Sequence, residues 1–122
     1  MAVSPSLIAE AIRWRRDFHA CPELGYQEQE TSRRVAELLA SFGLQVHSGL
    51  AGTGVVATLE NGPGPVIGLR ADMDALPITE QSDVDYKSRN PGVMHACGHD
   101  GHSAMLLAAA AHLRSEERRV GK

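Results

Sequence analysis

Cysteine is scarce in this 122-residue chain, with only Cys21 and Cys97 present. Two cysteines cannot build the disulfide framework of a small secreted domain. Cys97 also stands among histidines, which favours metal over a disulfide. Long apolar runs are missing too. The longest, Ala104 to Ala111, is eight residues and mostly alanine, well short of the roughly 20 that a membrane-spanning helix needs. Positive charge is not in excess. The formal net charge of −3 argues against nucleic acid as a partner. The first residues carry Pro5 and Glu10 where a signal peptide would be apolar, so a reducing cytoplasm is the expected compartment.

What is present reads as one folded core. The chain is 43% hydrophobic and 22% charged, which is ordinary for a globular domain and too short for two. Ser4-Pro5 opens a helix that ends near Ala20, because Pro22 disfavours helical geometry at Cys21. A second helix is expected from about Glu28 to Phe42, with Val35, Leu38, Leu39 and Phe42 on one face and Gly43 as its C-cap. The period then changes. Leu44 to His47 and Val55 to Glu60 read as strands around a glycine-containing turn. Val66 to Ala71 reads as a continuous apolar strand buried on both faces. Residues 79–90 read as an irregular polar loop, and Ser103 to Leu113 as a helix.

The densest chemistry lies in His95-Ala96-Cys97-Gly98-His99-Asp100-Gly101-His102. Imidazole, thiolate and carboxylate are ligands for a borderline transition metal. In an extended segment Cys97 and His99 point to the same side, so they are the first candidate metal ligands. A buried cysteine with surface histidines beside a helix start fits the same spacing. His95 and His102 can be further ligands or donors behind the ligands. Asp72 and Asp74 just past the apolar strand can ligate metal, orient an imidazole or make a turn before Pro77. Asp100 is expected to cap the last helix. Cys97 as a nucleophile beside a histidine is the rival reading, although thiol enzymes usually draw their base from elsewhere in the fold. The glycine-rich loops match no phosphate-binding fingerprint.

Three segments in order, His19 to Gly25, Gly68 to Pro77 and Met94 to His102, resemble the M20 metallopeptidase family. Within it they resemble the amidohydrolase branch, which includes hippurate hydrolases, indole-acetyl-amino-acid hydrolases and N-acetyl-diaminopimelate deacetylases. The resemblance covers residues 5 to 113 approximately. It implies an α/β catalytic domain with a central sheet flanked by helices, and an inserted lid domain that is absent here. It also implies a centre of two divalent metal ions, usually manganese, zinc, cobalt or nickel. Cys97 and His99 fall on ligand positions, and Asp74 falls on the acidic position that supports the site. Asp72 falls where the wider superfamily often has a ligating histidine, so ligation by Asp72 is not implied. A Glu-Glu pair, one member the general base, and two further histidines would follow the last residue.

The implied activity is metal-dependent hydrolysis of the amide bond of N-acyl amino acids by the intact protein, possible as a homodimer. This chain is then an inactive N-terminal fragment. A non-catalytic metal-binding or interaction fragment, and a thiol hydrolase using Cys97, are the competing classes. Residues 1–113 are expected to be a partial catalytic domain and residues 114–122 a non-native tail. That tail drops the apolar pattern at once and reads as an in-frame translation of a common sequencing adapter. A charged helical end is the alternative.

Overall fold

A computed structural model of the chain describes residues 2–119. Helix α1 spans Pro5–Ala20. The Ser4 hydroxyl accepts the Leu7 N–H at 3.2 Å, and Pro5 fills the first helical position, where no donor is needed. Helix α2 spans Gln29–Ser41. Its end is a Schellman motif. The Gly43 N–H donates to the Ala40 carbonyl at 2.9 Å and the Leu44 N–H to the Leu39 carbonyl at 3.3 Å. Gly43 sits at φ 89°, a conformation that costs a residue with a Cβ about 1 kcal/mol or more.

Strands β1 (Gln45–Leu50) and β2 (Gly54–Thr58) pair antiparallel, with Gln45 opposite Thr58 and His47 opposite Val56. Helix α3 spans His99–Arg119, so it starts four residues earlier and runs further than the apolar pattern suggests. It carries the first part of the expected tail. Val120, Gly121 and Lys122, the rest of that tail, lie outside the described residues.

Helix α1 packs on α3, and α2 packs on both the hairpin and α3. Their shared core is Trp14, Phe18, Val35, Leu39, Ala104 and Leu107. The Trp14 and Phe42 rings meet at 5.7 Å between centroids. Partly buried Val46, Val55 and Ala57 close the core from the hairpin side. The stripe Val35, Leu38, Leu39 and Phe42 thus predicts the packed face of α2 correctly, whereas on α1 the apolar Ile8 and Ile12 stay half exposed and Trp14 is buried with Phe18 instead.

The segment Val66 to Ala71 departs from expectation. It forms no strand, and Val66 and Ile67 are 96% and 83% exposed. Among the described residues no neighbouring strand pairs with it. An apolar run records a preference for burial, but a strand exists only when another chain segment supplies the hydrogen bonds. Asp72 and Asp74 therefore do not stand at a sheet edge. Their position comes from single bridges instead. Ala75 pairs with Leu24, and Leu76 pairs with Met94.

Packing separates two neighbours on α3. Leu107 is 3% exposed and Met105 is 62% exposed. Leu107→Ala is expected to lower unfolding free energy by about 2–5 kcal/mol. Met105→Ala should change it by less than about 0.5 kcal/mol. Urea denaturation followed by circular dichroism measures both.

Candidate metal centre

Three chain segments converge at the start of α3. The Ala75 N–H donates to the Glu23 carbonyl at 2.8 Å, and Leu76 and Met94 exchange backbone hydrogen bonds of 2.9 and 3.0 Å. Ala75 is buried, so the backbone beside Asp74 is clamped between residues 23–24 and residue 94. On the other side Gly98 takes φ 88°, which turns the chain sharply into α3. The His102 N–H closes the first turn on the Gly98 carbonyl at 3.0 Å.

This turn brings His99 against Asp74. The His99 Nδ1 lies 3.0 Å from Asp74 Oδ1 and 2.9 Å from the Asp74 carbonyl oxygen. Both oxygens accept, so Nδ1 is the donor, and Nε2 is the nitrogen with a lone pair when the ring is neutral. Asp72 stands alongside, with one oxygen bound by Arg70 at 3.0 Å. One donor atom each from Asp72, Asp74 and His99 lies within 4.8 Å of the other two. Two carboxylates and an imidazole form an oxygen–nitrogen donor set of the kind that binds divalent cations. The residues fit a divalent metal ion.

His99 and Asp74 are brought together, in the imidazole-orienting arrangement. Asp72 joins them, which the resemblance did not imply. Cys97 is an exposed free thiol and stands outside the group of three. The extended geometry expected to align it with His99 is replaced by the left-handed turn at Gly98. His102 is exposed, with its ring 5.9 Å from that of His99. His95 is buried, and among the described residues neither of its ring nitrogens has a hydrogen-bond partner. Burial pushes its pKa down, toward the neutral ring.

Asp100 corrects an expectation. It lies within the first turn of α3, and its carboxylate reaches across to α1 instead of capping its own helix. Asp100 Oδ2 accepts from Arg15 Nε at 2.9 Å and from His19 Nδ1 at 2.8 Å. The other His19 nitrogen meets Glu80 Oε2 at 3.0 Å. Burial opposes the charge on Glu80, but hydrogen bonds from Ser82, the Ser88 N–H and His19 outweigh it and bring its pKa down to about 2. Burial likewise opposes ionisation of Asp100, and the His19 hydrogen bond and nearby cations reverse the balance, so its pKa is lowered. No sequence signal marks Glu80. It sits in the irregular polar stretch, 61 residues from His19. Glu23 lies in the His19 to Gly25 segment, but its spacing points to no particular role. Its carboxylate caps α2, accepting the Thr31 N–H at 2.7 Å and the Glu30 N–H at 3.1 Å.

The profile of peptidase family M20/M25/M40 matches residues 68–121. The N-acyl-L-amino acid amidohydrolase of Geobacillus stearothermophilus is 54% identical over 102 residues, 83% of this chain and 28% of that protein. The chain belongs to the M20 peptidase family. Another M20 relative, the hippurate hydrolase of Campylobacter jejuni, is 50% identical over 111 residues, 90% of this chain and 29% of that protein. Among solved M20 structures, the Bacillus subtilis YXEP protein is described as a dinuclear metal binding peptidase. It superposes with a TM-score of 0.87 at 38% identity, over 92% of this chain and 32% of that one. The mixed helix-and-strand architecture is thus a fragment of the M20 fold. The chain spans little more than a quarter of the curated relatives it matches.

The lowered pKa of Glu80 gives acid stability a definite sign. Its folded value of about 2 lies below the ordinary 4.5, so its contribution is complete above the ordinary value and disappears as pH falls toward 2. Glu80→Gln should lower stability at neutral pH and flatten the acid limb of a stability–pH curve. Urea midpoints collected from acid to neutral pH check this.

Proposed function

We propose that this chain supplies part of the metal centre of an amidohydrolase that cleaves the amide bond of N-acyl amino acids, hippurate-like or N-acetylated. The observation that carries the reading is the His99 imidazole held through Nδ1 by Asp74, which leaves Nε2 as the nitrogen that can ligate. Asp72 lies beside them; Cys97, a free thiol two residues before His99, is proposed as a ligand together with His99, and Asp74 as the residue that orients the ring. The names of the relatives support the substrate class.

Two divalent ions are proposed, drawn from manganese, zinc, cobalt and nickel. When bound, such ions supply Lewis acidity and a nucleophilic water at neutral pH. The chain's own residues do the holding. Asp74 fixes the direction of His99 through Nδ1, and His95 is buried just before the turn, where burial pushes its pKa down. The proposed setting is a reducing cytoplasm, where Cys97 stays a thiol. Catalytic metal sites use about three protein ligands per ion, and the donors here are too few for two ions. The 122-residue chain by itself is therefore proposed to be inactive.

Hydrolysis of hippurate and N-acetyl amino acids with added Mn²⁺ tests the reading. A protein extended to the length of its relatives should turn these substrates over, lose activity to a chelator and regain it with metal. Asp74→Ala should weaken metal binding by about 10–100-fold. Robust metal-dependent turnover by the 122-residue chain alone would overturn the proposed inactivity. Inactivation by a thiol reagent with indifference to chelators would assign the chemistry to Cys97 as a nucleophile.

A further inference from the structure

His19 is buried at the last turn of α1 and touches none of Asp72, Asp74, Cys97 or His99 through a hydrogen bond. Yet its two ring nitrogens hold two carboxylates from either side of the metal-binding segment. Glu80 lies before that segment and Asp100 directly after it, at 3.0 and 2.8 Å from the ring. Ionised carboxylate oxygens only accept, so each of the two contacts is a hydrogen bond donated by a ring nitrogen. One imidazole therefore closes the loop from residue 80 to residue 100.

The surroundings reinforce that closure at each end. Glu80 is tied to its own loop through the Ser88 N–H at 2.8 Å and through Ser82. The same loop is fastened to the end of α1, where the Arg89 N–H donates to the Ala20 carbonyl at 2.9 Å and Asn90 Nδ2 to the Pro22 carbonyl at 2.7 Å. Asp100 is tied a second time by Arg15, which also donates to the Tyr86 hydroxyl at 3.2 Å. Asp100 is covalently next to His99. A shift of its carboxylate moves the first turn of α3 and changes the 3.0 Å approach of His99 Nδ1 to Asp74.

We propose that His19 is a positioning residue for the metal centre. By bridging Glu80 and Asp100 it sets the start of α3, and through it the alignment of His99 with Asp74. The inference rests on the reading of His99 and Asp74 as part of a metal site. It adds a requirement for a residue some 80 positions away in sequence, bonded to Asp100 across a separation of 81.

The experiment compares wild type with His19→Gln, Glu80→Gln and a core control, Leu39→Ala. Two readouts are used. One is Co²⁺ affinity together with the visible spectrum of the bound cobalt. The other, made without metal, is the nitrogen-15 NMR signal of the His99 ring, which reports the protonated Nδ1. Both network variants should stay folded, bind Co²⁺ about 10-fold more weakly or worse, and lose or broaden the His99 Nδ1 signal. Leu39→Ala should lose stability but keep the His99 signal and the cobalt spectrum. If folded His19→Gln and Glu80→Gln retain wild-type affinity and signal, the positioning role is overturned. If His19→Gln does not fold, Glu80→Gln decides by the same criteria. If neither folds, His19 serves stability alone and the proposal falls. If wild type binds no cobalt while both folded variants lose the His99 signal, the metal reading fails and the positioning of His99 stands.

Discussion

A buried imidazole between two buried carboxylates is the interaction on which the rest of this structure depends. Glu80 and Asp100 lie out of water, and ionised carboxylates in such a place need both charge and hydrogen-bond donors. His19 and Arg15 supply them. Removing one member of such a network leaves another charge stranded, typically at a penalty of several kcal/mol. The network also does something apolar packing cannot. It joins α1, the irregular loop and the first turn of α3 at defined points, where a greasy contact would tolerate sliding.

From that joint the candidate metal centre follows. Helix α1 and α3 share the core of Trp14, Phe18, Ala104 and Leu107, which sets how α3 lies. The Asp100 contacts set where it begins. The bridge at Ala75 and the exchange between Leu76 and Met94 bring Asp74 to the same place. His99 then meets Asp74 with its Nδ1 side, and Nε2 is the nitrogen left to bind a metal. Glycine at position 98 permits the turn that makes this possible.

Much of the architecture was legible in the residues. The helix boundaries at Ser4-Pro5, Pro22 and Gly43 are local steric facts, and the hairpin followed from a change of period around glycines. The motif around residues 95–102 and the pair Asp72 and Asp74 were visible as clusters of ligand chemistry. Other features were not legible. Residues 66–71 looked like a buried strand, yet β structure is a property of pairs of segments and no partner lies among the described residues. Asp100 looked like a cap because local spacing suggests local bonding, whereas its partners sit 81 and 85 residues away. Glu80 carried no signal at all, since an acidic residue in a polar loop is normally solvated.

Sequence by itself determined the helices, the turn residues, the types of donor atom and their membership in an M20-like pattern, because these depend on covalent structure and on neighbours a few residues away. Tertiary structure decided which donors meet. It joined Asp72 and Asp74 to His99, left Cys97 exposed outside their group, and gave His19 its two carboxylates. Those outcomes depend on distances between segments separated by 25 to 81 residues, and only the packing of α1 against α3 and the bridges at Ala75 and Leu76 fix such distances.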